Sequence, residues 1–471
     1  MKKPRKILVT PLIIVFAVFL FFSFLEAENS EKSEKQKEKN KNWLRPFFET
    51  LGTNALISWY NSYTYWRGRN RGLLKISLKS MNENLFQKGY IWDYLYKNGF
   101  QLNQLDHPFH GTLAYNIGRI NGLNFWESAV FPLFNSISWE AIFENALLNE
   151  RPSTNDTIVT SIGGTLLGEV LFKLADLLID EKSVGAERAI RESLALVINP
   201  IFGINRLITG EAFKREGSKQ QQHYYNLKVP IAFFEKNPAI ELKLEYQDGL
   251  IKKRIDAYDY FIFNLKTKIT KHGLKTERLL TSGWLAGKRQ RGNNYELLFG
   301  LFGNFDYINI LRNRISAIGI GPGLFGRYFN RGLFLKTSAG LSVIFGGATS
   351  SFVLRYGEEE FRKRKEYHNF GSEKDPYYLG PGTLSKLQIE FGKEDVGSFI
   401  LNLRHYWINS VFGANTTEKI TRLDFGVNIN IFEWSQIGIE YETYLKKGTY
   451  RSYSSLFSKT SSLRILYSFN F

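Results

Sequence analysis

The chain has 471 residues, a formal net charge of +17 and no cysteine, so disulfides and thiolate metal sites are excluded. Aromatic residues make up 15% of it, yet a mean hydropathy of -0.25 is too polar for a bundle of transmembrane helices. Strands that alternate between lipid and a polar lumen have such a composition. The basic residues form no compact face with interleaved stacking aromatics, so we expect no nucleic acid partner.

The N-terminus has the three parts of a secretory signal: a basic stretch ending at Lys6, an apolar run over residues 7–24, and a cleavage site at Leu25-Glu26-Ala27. We therefore predict that residues 1–27 are a signal peptide. An uncleaved signal anchor is the alternative, because the apolar run approaches the length of a membrane span. The Lys- and Glu-rich residues 28–42 predict a charged linker.

Residues 43–220 combine polar loops with apolar stretches of helical periodicity. We predict two helical pieces over residues 121–149 with a break at Pro132, one apolar helix over 157–180, and a further helix over 186–197.

Two features of the apolar helix concern its packing. Gly164 and Gly168 are four residues apart, the spacing that lets a helix approach another helix or a barrel wall closely. Glu169, Lys173 and Asp176 lie on one stripe, where we expect their charges to pair with one another. We interpret the helix as packed inside or beneath a barrel. A membrane-spanning helix is the alternative, although three charges disfavour it.

Two groups of polar residues in this segment are candidates for function. Histidine and glutamate side chains form acid/base pairs or metal sites, and the candidates for catalysis are His107, His110, Glu127, Glu140 and Glu144. A purely structural interpretation is favoured over the functional one: the histidines fix a turn by hydrogen bonds and Arg119 neutralises a glutamate. The predicted polar centre of the helices consists of Arg119, Asn155, Asp156, Glu169 and Lys173. We predict no metal and no cofactor, because no motif for either is present.

From His223 onward the dominant period is two residues, as in half-buried strands. One strand is predicted where Leu423, Phe425 and Val427 alternate with Asp424 and Gly426. About 12 such segments follow one another, an even number within the range of closed membrane barrels. The predicted fold is therefore a membrane all-β barrel of about 12 antiparallel strands over residues 221–471, preceded by an α-helical segment over 43–220.

The C-terminal strand ends on an aromatic residue, Phe471, after alternating Tyr467 and Phe469. It resembles the terminal strand of bacterial outer-membrane proteins, which the barrel-assembly machinery reads, and this resemblance implies an outer-membrane location. The expected partners are that machinery, outer-membrane lipids and lipopolysaccharide. The highly charged residues 357–375 are expected to form a long outer loop.

A second resemblance involves short motifs of the helical segment. They are His107-Pro108-Phe109-His110-Gly111, Trp126-Glu127-Ser128, Ser138-Trp139-Glu140, Pro152-Ser153-Thr154-Asn155-Asp156, Gly163-Gly164 and Gly168-Glu169. Over roughly residues 90–210 the chain resembles an uncharacterised bacterial domain-of-unknown-function family, family 3943, of envelope proteins. The family has no established activity, so the resemblance implies no chemistry.

Three functions are compatible with the sequence. The first is a barrel in envelope transport or maintenance, whose helical segment plugs or caps it. The second is a membrane-embedded enzyme acting on lipid or lipopolysaccharide, with His107 or His110 as base. The third is a structural surface protein or adhesin that acts through residues 357–375.

Overall fold

The structure is a computed structural model that describes residues 41–66, 99–144, 153–214, 224–232, 239–247, 256–270, 273–310, 313–349, 377–410, 416–450 and 454–470. Four features predicted above lie outside these ranges. They are the signal peptide, all of the charged linker except Lys41 and Asn42, the charged loop 357–375, and the terminal Phe471.

Twelve antiparallel strands form a closed barrel, in which each strand pairs with its neighbours in the chain and β1 pairs with β12. The predicted fold class is thereby confirmed. The strands are β1 (Tyr224–Ala232), β2 (Ala239–Gln247), β3 (Tyr260–Thr270), β4 (Gly273–Arg291), β5 (Tyr295–Ile310), β6 (Asn313–Asn330), β7 (Leu333–Thr349), β8 (Tyr378–Lys393), β9 (Gly397–Asn409), β10 (Thr416–Phe432), β11 (Ser435–Tyr450) and β12 (Leu456–Asn470).

Side chains alternate between the lumen and the outside along each strand. On β10, Arg422 and Asp424 are buried in the lumen, whereas Phe425, Val427 and Ile429 are between 41% and 57% exposed on the outside. Leucine, isoleucine, valine and phenylalanine are exposed in the same way on the outside of β7, β8, β9, β11 and β12. This band of apolar side chains is suited to contact with lipid.

The helical segment precedes the barrel in the chain. Its helices are α1 (Arg45–Trp66), α2 (His107–Ile120), α3 (Phe125–Ser128), α4 (Val130–Ser138), α5 (Thr154–Ile158), α6 (Gly164–Leu178), α7 (Gly185–Ile198) and α8 (Pro200–Ile208). Three π-helical turns adjoin them, at Leu102–Asp106, Trp139–Glu144 and Val159–Gly163, and a 3-10 turn at Glu211–Phe213 follows.

Two predictions about these helices need correction. Pro132 does not separate two helical pieces, because it lies in the first turn of α4, where the backbone N–H groups have no partner within the helix. The break between the helices falls at Ala129. The histidines of the His107-Pro-Phe-His110 motif are in α2 and not in a turn. The predicted apolar helix exists as α5, a π-helical turn and α6, which together run from Thr154 to Leu178.

This long helix crosses the outside of the barrel wall from β7 to β2. A Cβ on Gly346 of β7 would contact Ile158 and Val159. Farther along the helix, Gly163 lies against Ile318 of β6 and Leu166 lies against Gly303 of β5. At its end, Lys173 pairs with Asp259, which precedes β3, and lies over the ring of Tyr246 of β2.

These contacts are all with the outward face. Gly303 has the same orientation as Phe299 and Leu301, which are exposed outside, whereas the next residue, Asn304, bonds Lys386 in the lumen. The outward side chains of β2 and β3, such as Leu244 and Phe263, belong to one apolar core with Leu166 and Leu171 of α6. The expectation that the helical segment plugs the lumen is therefore wrong for the described residues, because these helices lie against the outer wall.

Candidate functional site

The motif glycines bring α2 and α6 into close contact. A Cβ on Gly164 would lie 2.6 Å from the Cα of Gly111, and a Cβ on Gly168 would lie 2.7 Å from the ring of Tyr115. Gly111 and Tyr115 are themselves four residues apart on α2. The two helices therefore touch along complementary stripes, which is the close approach that the spacing of Gly164 and Gly168 predicted.

A buried glutamate, Glu169, is the centre of this contact. The hydroxyl of Tyr115 donates to Glu169 Oε2 at 2.8 Å, and Arg119 Nε lies 2.8 Å from the same oxygen. Arg119 also donates to the carbonyl of Leu123 and covers the ring of Phe172. Since Glu169 is 1% exposed, the arginine neutralises an otherwise uncompensated buried charge.

The ion pairs of this stripe differ from those that the sequence suggested. We expected Glu169, Lys173 and Asp176 to pair within their own helix. Instead Glu169 pairs with α2 through Arg119, and Lys173 Nζ lies 2.9 Å from Asp259 Oδ1 beside the barrel. The charges thus connect the long helix to its neighbours on both sides.

A second set of buried polar groups lies at the start of α5. His107 Nε2 is 3.9 Å from Asp156 Oδ2, and His107 Nδ1 is 3.5 Å from the hydroxyl of Thr160. Asn155 donates to Asp156 at 2.9 Å and accepts from Gln104 at 3.5 Å. All of these side chains are buried.

Glu140 completes this set, which we call the polar cluster: Gln104, His107, Glu140, Ser153, Asn155, Asp156 and Thr160. Glu140 Oε2 accepts a hydrogen bond from the backbone N–H of Ser153 at 2.8 Å. The Ser153 hydroxyl caps α5 by accepting from the N–H of Asp156. The three π-helical turns each contribute a member, namely Gln104, Glu140 and Thr160. Such turns reposition side chains within a helix and occur often at functional sites.

The remaining candidates lie apart from the polar cluster. His110 bonds Asn54 of α1 at 2.8 Å and meets the ring of Trp139 edge-on. Burial, aided by the nearby His107, lowers the pKa of His110 to about 3, so this ring is neutral at pH 7. Glu127 is at the surface, where it forms a capping box with Asn124.

Glu127 also accepts from Lys41 at 2.8 Å. The Lys41 ammonium and the Asn124 N–H, both bonded to its carboxylate, lower the pKa of Glu127. A cap is thus a sufficient account of this residue. The side chain of Glu144 lies outside what the structure describes. Within the described ranges, no group of three or more His, Asp or Glu side chains is placed to hold a metal ion.

The barrel contains a charged centre that the sequence analysis did not identify. Ion pairs in the lumen join strands that are not neighbours in the barrel, and we call them the lumen network. They join Arg278 to Glu241 and Glu442, Lys228 to Glu390, Lys336 to Glu245, Lys243 to Glu440, and Arg404 to Asp306. Because Arg278 is on β4 and Glu442 is on β11, this 2.7 Å contact spans the lumen.

Apolar side chains occupy the lumen on either side of the network. One cluster includes Ile308, Ile344 and Tyr406 toward the end at which β7 connects to β8. The other includes Trp284 and Phe325 toward the end at which β6 connects to β7. A cavity of about 120 Å³ remains between them, lined by basic and acidic side chains of the lumen network. A water molecule needs roughly 10–15 Å³ of such space, so this cavity has room for about ten water molecules.

Several residues at these sites could not be selected from the sequence. Tyr115, Asn54 and Tyr258 have no distinguishing pattern, although Tyr258 stacks on Phe125 between the barrel and the helices. Arg278 lies in one of the alternating segments, but its partner Glu442 is 164 residues away. The two-residue alternation did predict which side chains of each strand are polar, and the lumen residues all belong to those polar faces.

Comparisons with solved structures return outer-membrane barrels. Among them are OmpT, an outer membrane protein of Vibrio cholerae (6% identity, 54% of this chain and 99% of that chain, TM-score 0.22), and the outer membrane channel DcaP of Acinetobacter baumannii (7% identity, 54% and 99%, TM-score 0.21). At such low scores the fold assignment rests on the closed strand pairing itself.

A search of curated proteins gave no match. The comparison with family models covers the helical segment only. Residues 89–201 match the domain of unknown function DUF3943, and they contain α2 to α7, the polar cluster and the Glu169 centre. Residues 89–201 of this chain are thus similar to DUF3943, and a closed barrel of 12 strands follows them.

Proposed function

We propose that this protein is an outer-membrane barrel with a filled lumen, which serves to hold the DUF3943 domain at its lipid-facing wall for a role in envelope maintenance. The observation that carries the proposal is the lumen network. Arg278 connects β4 to β2 and β11, and Lys228, Lys336 and Arg404 make further crossings. Opposite strands of the described barrel are joined in this way, which supports a lumen closed to passive diffusion.

Conductance of the full-length protein in planar bilayers tests this function. We expect no stable conductance from the wild type. The double variant Arg278→Ala and Arg422→Ala removes two guanidinium groups that bond Glu442, and we expect it to conduct. Leu423→Ala is the matched control, because Leu423 is on the outside of β10 beside Arg422, and we expect this variant not to conduct. Stable conductance steps from the wild type would contradict the proposal.

The membrane location itself is tested by fractionation. The exposed apolar band of β7–β12 supports it, because water would leave those side chains without a partner. We expect the expressed protein in the outer-membrane fraction, with gel migration that shifts on boiling. Recovery as a soluble periplasmic protein would overturn the location and the function that depends on it.

An enzymatic function is the second candidate, because His107 contacts both a carboxylate and a hydroxyl. Thr160 would attack the carbonyl carbon of a lipid ester and pass its proton to His107, and Asp156 would stabilise the resulting imidazolium. As the ester C–O bond breaks, His107 would return the proton to the departing alcohol, which leaves the acyl group on Thr160. The burial of all three side chains ranks this function below the first. If Thr160→Val and His107→Gln leave the mass spectrum of outer-membrane lipids unchanged from wild type, the enzymatic candidate is rejected.

A further inference from the structure

The helical segment has an uncharged apolar surface formed by α1 and α4. On α4, Val130, Leu133 and Ile137 form one stripe at spacings of three and four residues, and each is 44–45% exposed. On α1, Leu56 and Trp59 are 67% and 50% exposed. No charged residue occurs in α4, and none occurs in α1 after Glu49. We call this surface the α1–α4 face.

The α1–α4 face is held in a defined position. Phe47 of α1 packs edge-on against both Phe131 and Phe134 of α4, and Asn54 of α1 donates to the Ser138 hydroxyl at 3.0 Å. His110 of α2 bonds the same asparagine. Among the described residues, the inward sides of both helices are already packed, and the exposed leucine, isoleucine and valine side chains of this face are available to an external partner.

Charged residues of the helical segment are concentrated elsewhere. On α7 and α8, Arg206 pairs with Glu192, and Arg191 pairs with the half-exposed Glu187. Arg188 donates to the backbone carbonyls of Ala212 and Lys214. The segment is therefore two-sided, with an ionic region suited to water and an apolar region that is not.

The position of the long helix on the barrel indicates the partner. That helix covers outward side chains such as Leu242 and Leu244, which are 4–5% exposed, whereas the corresponding side chains of β10, such as Val427, are open. If β10 faces lipid, lipid surrounds the whole barrel. On the side where the helical segment covers the strands, the lipid then meets the surface of the helical segment. In the described part of the helical segment, the α1–α4 face is a surface without charge beyond Glu49.

We infer that the α1–α4 face contacts the acyl chains of the membrane beside the barrel, so that the DUF3943 domain is partly immersed in lipid. The inference rests on the proposed placement of the barrel in a membrane. Among the described residues of α1 and α4, charge occurs near the start of α1, where Arg45 pairs with Glu49, and Lys41, just before α1, pairs with Glu127. Those groups are suited to the headgroup layer.

Spin labels on single cysteines test the inference, because the natural chain contains no cysteine. Leu133→Cys and Ile137→Cys report on the α1–α4 face, Val427→Cys reports on the barrel band, and Ser193→Cys on the exposed side of α7 is the aqueous control. The full-length protein is reconstituted in phosphatidylethanolamine–phosphatidylglycerol vesicles. Collisions of each label with molecular oxygen, which concentrates in lipid, and with a water-soluble nickel chelate are then measured.

We expect labels at 133, 137 and 427 to collide with oxygen and the label at 193 to collide with nickel. Nickel contact at 133 and 137, with oxygen contact at 427, would overturn the inference and leave the membrane barrel intact. Nickel contact at 427 as well would overturn the proposed function too. Protection of 133 and 137 from both reagents would mean that a second copy or another protein covers the face, which also overturns contact with lipid.

Discussion

Leu166 of α6 occupies the space that a side chain at Gly303 of β5 would need, since a Cβ on Gly303 would lie 2.6 Å from Leu166 Cδ2. Gly283, the residue paired with Gly303 on β4, leaves room in the same way for the ring of Tyr258. Glycine on the outward face of these strands thus leaves room for Leu166 of the helical segment and for Tyr258, which precedes β3. The outer surface of the barrel therefore fits the contact between Leu166 and Gly303.

A matched pair of glycine substitutions tests the contact between α2 and α6. Gly164→Ala places a methyl group against the backbone of Gly111, which cannot move aside as a side chain could. We expect a loss of about 1–3 kcal/mol in the stability of the helical segment. Hydrogen exchange of α2 and α6, followed by mass spectrometry, measures it as faster exchange.

Gly52→Ala is the control for that experiment. Gly52 is inside α1, and a Cβ there meets nothing within 4 Å. Alanine in a helix interior is favoured over glycine by about 1 kcal/mol, so this variant should be neutral or slightly stabilised. Equal losses from the two substitutions would show that close packing at Gly164 does not stabilise the helix pair.

Removing one partner of the buried ion pair should cost more than removing both. Glu169→Leu leaves the Arg119 guanidinium, whose side chain is 18% exposed, without its carboxylate. We expect a loss of about 3–5 kcal/mol. The double variant Glu169→Leu with Arg119→Met should recover a large part of it. Denaturant titrations that gave simply additive losses would argue against coupling between the two residues.

The stability of the helical segment should fall with acid because of His110. Its folded pKa of about 3 lies below the ordinary value of 6.5, so between these values the unfolded chain binds a proton that the folded chain does not. The stability that neutral His110 provides is therefore complete above pH 6.5 and is lost as the pH falls toward 3. One such proton contributes a slope of about 1.4 kcal/mol per pH unit.

His110→Gln removes this titration and retains a group that can bond Asn54. Between pH 6.5 and pH 4, we expect hydrogen exchange of the helical segment to depend less steeply on pH in this variant than in the wild type. His405→Gln, on β9 of the barrel, should leave that dependence unchanged. An unaltered slope in His110→Gln would assign the acid sensitivity to other groups.

The barrel could be predicted because its signal is local. Alternation such as Phe425, Val427 and Ile429 against Asp424 and Asn428 specifies both a strand and its two faces within a few residues. The close approach of α2 and α6 was likewise present in the sequence, as the spacing of Gly164 and Gly168. Both patterns can be recognised from residues that are close together in the sequence.

The position of the helical segment could not be predicted in the same way. Leu242 and Leu244 on β2 alternate just as Val427 and Ile429 do on β10, and an apolar side chain is equally suited to lipid and to a helix. The lumen network was hidden for a related reason. Each strand shows that Arg278 or Glu442 points inward, but the pairing across the lumen depends on closure of the whole barrel.

One measurement tests the external position of the helix most directly. Leu166→Cys is combined with Gly303→Cys, which faces outward, or with the neighbouring Asn304→Cys, which faces the lumen and bonds Lys386. Full-length protein in membranes is oxidised, and intramolecular disulfides are detected by their gel migration before and after reduction. We predict a disulfide between residues 166 and 303 and none between 166 and 304. A disulfide with residue 304 and not with 303 would place the helix in the lumen and contradict this account.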